Sequence, residues 1–318
     1  MATITDRIDN ITRIPPAYQK AVLQAPKSVK IEVSPRCNYR CGFCALRTRE
    51  VQPKWDMDLG LFKRITREMR EAGVEEIGVF YLGESFMNPR LLVDCISYLK
   101  NEIGMPYVFL TSNASMSFPE AAEACMKAGL NSLKWSVNAA DDAQFERVMG
   151  VSRRLFHRAL ENIKAAWEIR KSKGYRTGLY ASSIRYDGEQ QEKMERLLAE
   201  RVRPYVDQHY WLPLYSMGAF ATLRERELGY RPTAGNQGRL DALREPLPCW
   251  SAFTEGHVTA DGKLSACCFD ANANWTMGDL TRQSFMDAWN SETFVKLREA
   301  HLKKDVRGTV CENCIAYS

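Results

Sequence analysis

From Ser28 onward the chain alternates short β-branched or aromatic runs with longer stretches whose apolar residues recur at helical spacing. VKIEVS (29–34) is the first short run, and EIGVFYLG (76–83), YVFLTSN (107–113), SLKWSVN (132–138), TGLYASSIRY (177–186) and DQHYWLPLY (207–215) follow it. All six are predicted as strands. Helices are predicted over 58–73, which stops at Gly73, and over 90–104, 119–129, 142–150, 153–174 and 188–202. About six strand–helix units in series predict an α/β fold with a parallel sheet and helices outside it. Pattern does not separate an open doubly wound sheet from a barrel-like closure. Either way, active residues belong at the carboxyl ends of the strands.

The rhythm breaks over 216–248, which is predicted as a connector. Beyond it the texture changes. HVTADGKLSACC (257–268) reads as two short strands around an Asp261-Gly262 turn, followed by GDL, SFMDAWN, the helical SETFVKLREAHLKK and a final CENC at 311–314. The expected organisation is an amino-terminal extension (1–27), a main domain (28–215), the connector (216–248) and a small cysteine-bearing domain (249–318). No internal repeat or low-complexity tract interrupts it.

A net charge of +5 over 318 residues is small, and acidic and basic residues are mixed throughout, without the Lys/Arg stripe of a duplex binder. Nucleic acid is therefore not an expected partner. No apolar run reaches the length of a membrane span, and the first residues lack a secretory signal. The expected compartment is the cytoplasm, where clustered cysteines more often bind metal or do chemistry than form disulfides. Ten cysteines are present. Cys95 and Cys125, alone within helical patterns, read as buried small hydrophobes.

The stretch SPRCNYRCGFCALR places Cys37, Cys41 and Cys44 within eight residues on the loop after the first strand. Three thiolates are too few to close a tetrahedral zinc site and an odd number for disulfides. They could bind zinc with a distant fourth ligand, or hold three irons of a 4Fe-4S cluster and leave the fourth iron open. The loop resembles that of the radical S-adenosyl-L-methionine (SAM) superfamily, whose C-x3-C-x-aromatic-C has Phe43 in its aromatic place. That resemblance implies a partial (β/α)6 TIM-like barrel over roughly 28–215. It also implies a 4Fe-4S cluster on Cys37, Cys41 and Cys44, with SAM chelating the open iron.

Further segments match the family's SAM-binding positions. YLGES resembles its Gly-Gly-Glu segment, so Gly83 and Glu84 are expected at the SAM amino group, with Leu82 in place of the first glycine. LTSNAS puts Ser112 and Asn113, and WSVNAA puts Ser136 and Asn138, where the family contacts the same ligand. For these four polar residues the alternative is ordinary loop capping. In the family, one electron from the reduced cluster cleaves SAM to a 5′-deoxyadenosyl radical, which removes a hydrogen atom from an unactivated C–H bond.

The tail carries PCW, DGKLSACC, GDL, DAWN and CENC in that order. A zinc ribbon needs two tight cysteine pairs, and only CENC is one. The series resembles SPASM/twitch auxiliary-cluster domains, a small α+β unit of hairpin and helix. It implies one auxiliary 4Fe-4S cluster on Cys249, Cys267, Cys311 and Cys314. Cys268 is the rival to Cys267, because neighbouring strand residues point to opposite faces. A cluster with four cysteines has no open iron and would handle electrons.

The short chain and single auxiliary cluster are similar to the twitch-bearing dehydrogenases of the 2-deoxy-scyllo-inosamine type. The expected activity is two-electron oxidation of an alcohol carbon in a sugar or aminocyclitol, with the auxiliary cluster accepting an electron. The alternatives are maturation of a ribosomal peptide, for which 27 residues before the first strand are too few to form a leader-gripping domain, and a non-catalytic electron-transfer module. Expected partners are a small-molecule or peptide substrate and a reductant such as flavodoxin or ferredoxin. The proton acceptor is not legible: His209, Tyr210, Arg185 and Arg231 lie on or near the last strands and the connector.

Overall fold

The computed structural model describes residues 3–48, 53–217, 229–269 and 275–314. Six strands run parallel, each beside its predecessor: β1 (Ser28–Ile31), β2 (Glu76–Gly78), β3 (Tyr107–Ser112), β4 (Ser132–Ser136), β5 (Gly178–Ile184) and β6 (Gln208–Leu212). Residues of both β1 and β6 line one interior cavity, so the sheet curls as a partial barrel does. The strands are shorter than the apolar runs that announced them. In each case the run continues past the paired residues into the loop at the carboxyl end.

The connecting helices are α2 (Leu59–Glu71), α3 (Pro89–Ser97), α4 (Pro119–Lys127), α5 (Asp142–Met149), α6 (Arg154–Lys173) and α7 (Gly188–Leu197). Their ends follow local chemistry. Asp58 caps α2 by accepting from the Leu61 N–H, and Asp141 caps α5 by accepting from Gln144. Gly150 ends α5 at a φ of 65°, a left-handed conformation that glycine adopts without strain. Along α2 the buried side chains are Phe62, Ile65, Thr66 and Met69, one face of a helix laid on the sheet.

Helix α1 (Ile4–Thr12) lies within the stretch read from the sequence only as an extension. Thr3 and Asp6 form a capping box, and Ile4 and Ile11 are buried. The helix closes the amino-terminal end of the barrel. Arg7 pairs with Glu76 at the start of β2, and its guanidinium lies 3.3 Å from the Tyr107 ring centre on β3. The Ile4 N–H donates to Gln208 on β6.

The tail adds α8 (Ser251–Thr254), β7 (Glu255–Val258), β8 (Lys263–Ser265), β9 (Thr276–Asp279), α9 (Phe285–Trp289) and α10 (Glu292–Leu302). The hairpin around Asp261-Gly262 forms as predicted, with Val258 opposite Leu264. Unforeseen are β9, which includes the Gly278-Asp279 pair, and the pairing of β7 with β1 in parallel register. One nine-stranded sheet therefore runs through both parts. Arg298 on α10 is fully buried and donates to the carbonyls of Ala252, Trp289 and Ala21, tying helices to the chain before β1. Among the described residues no helix is long and apolar enough to cross a membrane.

Candidate active site

The cysteine loop leaves the carboxyl end of β1 and is pinned to the end of α5. Arg40 and Gly42 donate their N–H groups to the carbonyls of Met149 and Val148, at 2.9 and 2.7 Å. Cys37 Sγ accepts from the Tyr39 N–H at 3.4 Å and from Asn113 Nδ2 at 3.8 Å. Cys41 Sγ lies 3.4 Å from Met149 Sδ, and the Cys44 N–H donates to the Cys41 carbonyl. Burial, aided by the Glu84 carboxylate, pushes the Cys37 thiol up to about 12, and burial raises Cys44 as well. A bound cationic centre reverses that preference, because coordinated thiols are deprotonated.

Gly83 sits where a side chain cannot. A Cβ there would lie 1.9 Å from the Ser34 carbonyl oxygen, so the loop after β2 crosses the loop after β1 in backbone contact. Glu84 is buried beside it. Its carboxylate accepts from Ser112 Oγ at 3.0 and 3.1 Å, from the Asn113 N–H at 2.7 Å and from the Phe86 N–H at 3.1 Å. Burial raises Glu84, while the three donors oppose it. The structure thus brings Gly83, Glu84, Ser112, Asn113 and Cys37 together, with Glu84 as the hub. Glu84 and Ser112 are bonded to each other, and Glu84 also holds the Asn113 N–H.

Ser136 and Asn138 lie across a small cleft shared with Asn113 and Tyr39. Asn138 Oδ1 accepts from the Ile184 N–H, and Ser136 Oγ from Lys134 Nζ at 3.4 Å. Phe43 is half-buried against the core.

Among the described residues no three His, Cys, Asp or Glu side chains converge closely enough to grip a single metal ion. Three thiols of one loop, with Cys37 facing N–H donors and Cys44 raised by burial, are a donor set that fits a polynuclear cluster.

In the tail, His301 links two of the expected ligands. Its Nδ1 accepts from the Cys249 N–H at 3.2 Å, and its Nε2 lies 3.3 Å from Cys311 Sγ. The Cys314 N–H donates to the Cys311 carbonyl. Cys267 and Cys268 follow the end of β8 at Ser265, so strand alternation does not govern them. Cys267 Sγ accepts from the Phe269 N–H, and its carbonyl accepts from Tyr81. Cys268 lines the barrel cavity, where burial pushes it up to about 12 despite Lys30 nearby, with Glu255 and Cys249 reinforcing the rise.

That cavity, of about 230 Å³, holds the residues sequence reasoning missed. Lys30 from β1 pairs with Glu255 at 2.9 Å, and Glu255 with His257 at 2.9 Å. Burial opposes ionisation of Glu255, but Lys30 and His257 outweigh it and hold the carboxyl at about 2. Lys134 from β4 lies in the same wall. A signal existed: Lys30 and Lys134 are basic residues inside the otherwise strand-like runs VKIEVS and SLKWSVN.

With the geometry in place, the similarities to known proteins carry weight. The model of the radical SAM superfamily matches residues 31–180, and that of the SPASM iron-sulfur cluster-binding domain matches residues 249–315. The chain thus carries a radical SAM domain and, after it, a SPASM domain. The first domain implies a 4Fe-4S cluster and SAM, the second implies auxiliary iron–sulfur clusters, and the cysteines for both are present. The S-adenosylmethionine-dependent nucleotide dehydratase of Danio rerio is 35% identical over 101 residues, which cover 30% of this chain and 26% of that protein. The chain thus spans about a quarter of that relative's length. PqqA peptide cyclase of Xanthomonas axonopodis pv. citri is 22% identical over 315 residues, covering 92% of this chain and 81% of its own. Among solved structures, BtrN in complex with AdoMet and 2-DOIA aligns over 91% of this chain and 92% of its own, at 15% identity and a TM-score of 0.58. SuiB of Streptococcus suis, bound to the precursor peptide SuiA, aligns over 93% and 71%, at 15% identity and a TM-score of 0.68. These two likenesses show the fold.

Proposed function

We propose that this protein oxidises an alcohol carbon of a small polar substrate, a sugar or aminocyclitol, held inside the barrel. The observation that carries the reading is the cavity of about 230 Å³, walled by aromatic rings and paired charges and closed below by α1. Its size and lining suit a compact polyol better than a folded peptide segment. When bound, the front cluster and SAM supply a 5′-deoxyadenosyl radical, and the tail cluster supplies an acceptor for one electron.

The chain's own residues have separate tasks in this reading. Cys37, Cys41 and Cys44 hold the front cluster; Cys249, Cys267, Cys311 and Cys314 hold the other. Cys267 is preferred to Cys268 because the latter faces the barrel cavity. Phe43, Gly83, Glu84, Ser112, Asn113, Ser136 and Asn138 form the SAM site, with Glu84 orienting Asn113 and Gly83 allowing the two loops to meet. The rings of the cavity wall exclude water from the reacting carbon. Reductant and compartment follow the family expectation, a flavodoxin or ferredoxin in the cytoplasm.

Peptide maturation is the second reading, favoured by the match to PqqA peptide cyclase over nearly the whole chain. Deuterium placed on the carbinol carbon of a cyclitol or aminosugar decides between them. Recovery of the label in 5′-deoxyadenosine together with a ketone supports the oxidation. Label recovered only from a peptide side chain or α-carbon, with polyols inert, replaces it with the second reading.

A further inference from the structure

We propose that the substrate of the barrel cavity carries a carboxylate or phosphate group, and that Lys134 holds it. The inference rests on reading this cavity as the substrate site. Its basis is the pairing of charges. Three other cations line the cavity, and each already faces a carboxylate: Arg7 with Glu76, Lys30 with Glu255 at 2.9 Å, and Arg239 with Asp9 at 2.7 Å. Lys134 has no such partner among the described residues. Its ammonium meets only hydroxyls, Ser182 Oγ at 3.1 Å and Ser136 Oγ at 3.4 Å.

A buried ammonium without a counter-ion is costly, and the cost is removed either by losing the proton or by gaining an anion. Burial, reinforced by the like charge of Lys30, lowers Lys134 to about 7. The two glutamates that line the cavity are already engaged, Glu255 by Lys30 and His257 and Glu76 by Arg7. β5 contributes the Ser182 hydroxyl and no acid to the contact. An anionic substrate group would complete the pairing.

The position of Lys134 fits that task. Ser136, its second contact, lines the cleft that also holds Asn113, which reaches the cysteine loop. Lys134 therefore stands between the barrel cavity and the proposed SAM site. An anion held there would fix one end of a small molecule and turn a chosen carbon toward the place where hydrogen is removed.

The test needs no turnover, so its failure is distinguishable from failure of the proposed oxidation. Lysines of the cluster-loaded enzyme are dimethylated with ¹³C-formaldehyde, and Lys134→Met assigns the Lys134 resonance. The variant loses a half-buried charge that has no counter-ion among the described residues and should remain folded, which near-ultraviolet circular dichroism checks. The resonance is then titrated in potassium chloride, acetate, inorganic phosphate and glucose at matched ionic strength. The expected result is a midpoint raised by about one unit or more in acetate, phosphate or both, with no change in glucose. Acetate alone indicates an acid substrate and phosphate alone a phosphorylated one. Equal midpoints in all four solutions overturn the proposal. So does a rise produced by SAM alone, which would give Lys134 to the SAM carboxylate.

Discussion

Asn113 donates its backbone N–H to the Glu84 carboxylate at 2.7 Å while its side-chain amide reaches Cys37 Sγ at 3.8 Å. Loops after three different strands are thereby locked in one chain of contacts. The acid in YLGES acts through Asn113 and Ser112 rather than as an exposed group.

Glu84→Gln keeps the shape and replaces one acceptor oxygen by a donor facing Ser112 and Asn113. Stability is expected to fall by about 1–3 kcal/mol, the cost of mismatched buried donors. SAM affinity should fall with it, whereas Ser112→Ala should cost about 1 kcal/mol or less and weaken SAM binding only mildly. Urea denaturation and equilibrium SAM binding measure both.

Gly83→Ala is a harsher change than its size suggests. The added methyl would lie 1.9 Å from the Ser34 carbonyl oxygen and 2.9 Å from that of Arg36, so backbone must move. A loss above about 2 kcal/mol is expected, together with reduced iron in the front cluster. Unchanged stability and iron would mean that the two loops part without consequence.

Changing Cys37, Cys41 and Cys44 together to Ala should abolish SAM cleavage while the tail keeps its iron. His301→Gln should do the reverse, since His301 bridges the Cys249 N–H and Cys311 Sγ. Iron content should drop by about four atoms per chain in each case, the inventory of one 4Fe-4S cluster. Elemental analysis with a 5′-deoxyadenosine assay separates the two outcomes.

Arg298→Lys should destabilise the protein by about 3 kcal/mol or more, because a single ammonium cannot reach the several carbonyls that the guanidinium fork satisfies. The same residue lies 4.2 Å from the Trp289 ring centre and 4.1 Å from that of Phe294. Thermal unfolding followed by tryptophan fluorescence reports the loss.

Glu76 gives a pH signature. Burial raises its carboxyl to about 7 against the pull of Arg7, compared with 4.5 for an unperturbed glutamate. Between those values the folded state holds more protons than the unfolded state, so stability falls as pH rises through that window. Glu76→Gln should remove this fall, visible as urea midpoints that no longer differ on its account between the two ends of the window.

Much of this was legible in the chain because each strand–helix unit declares itself locally. The cysteine spacing likewise sits on one loop, and the Asp261-Gly262 turn needs only its neighbours. Helix α1 was legible too, with Thr3 and Asp6 at capping-box spacing and Ile4, Ile8 and Ile11 on one face, but it lies in a segment read as an extension without elements of its own. The rest depends on closure of the sheet. Whether Lys30 and Lys134 face each other across a cavity is set by strands roughly a hundred residues apart in sequence. Nor does local pattern place Glu255 beside Lys30, because the pairing of β7 with β1 joins distant segments.

That pairing has a consequence for how the two parts can be separated. β7 covers the edge of β1, the Glu32 N–H donates to the Val258 carbonyl, and the Glu32 carboxylate accepts from the Ala260 N–H. Cutting the tail away would therefore bare the strand that leads into the front cysteines, an open edge that invites pairing with other chains. A truncated version would report on its own aggregation before it reported on electron transfer. The tail is a seam of the barrel rather than an attachment, and its role is better probed by point changes at its cysteines than with scissors.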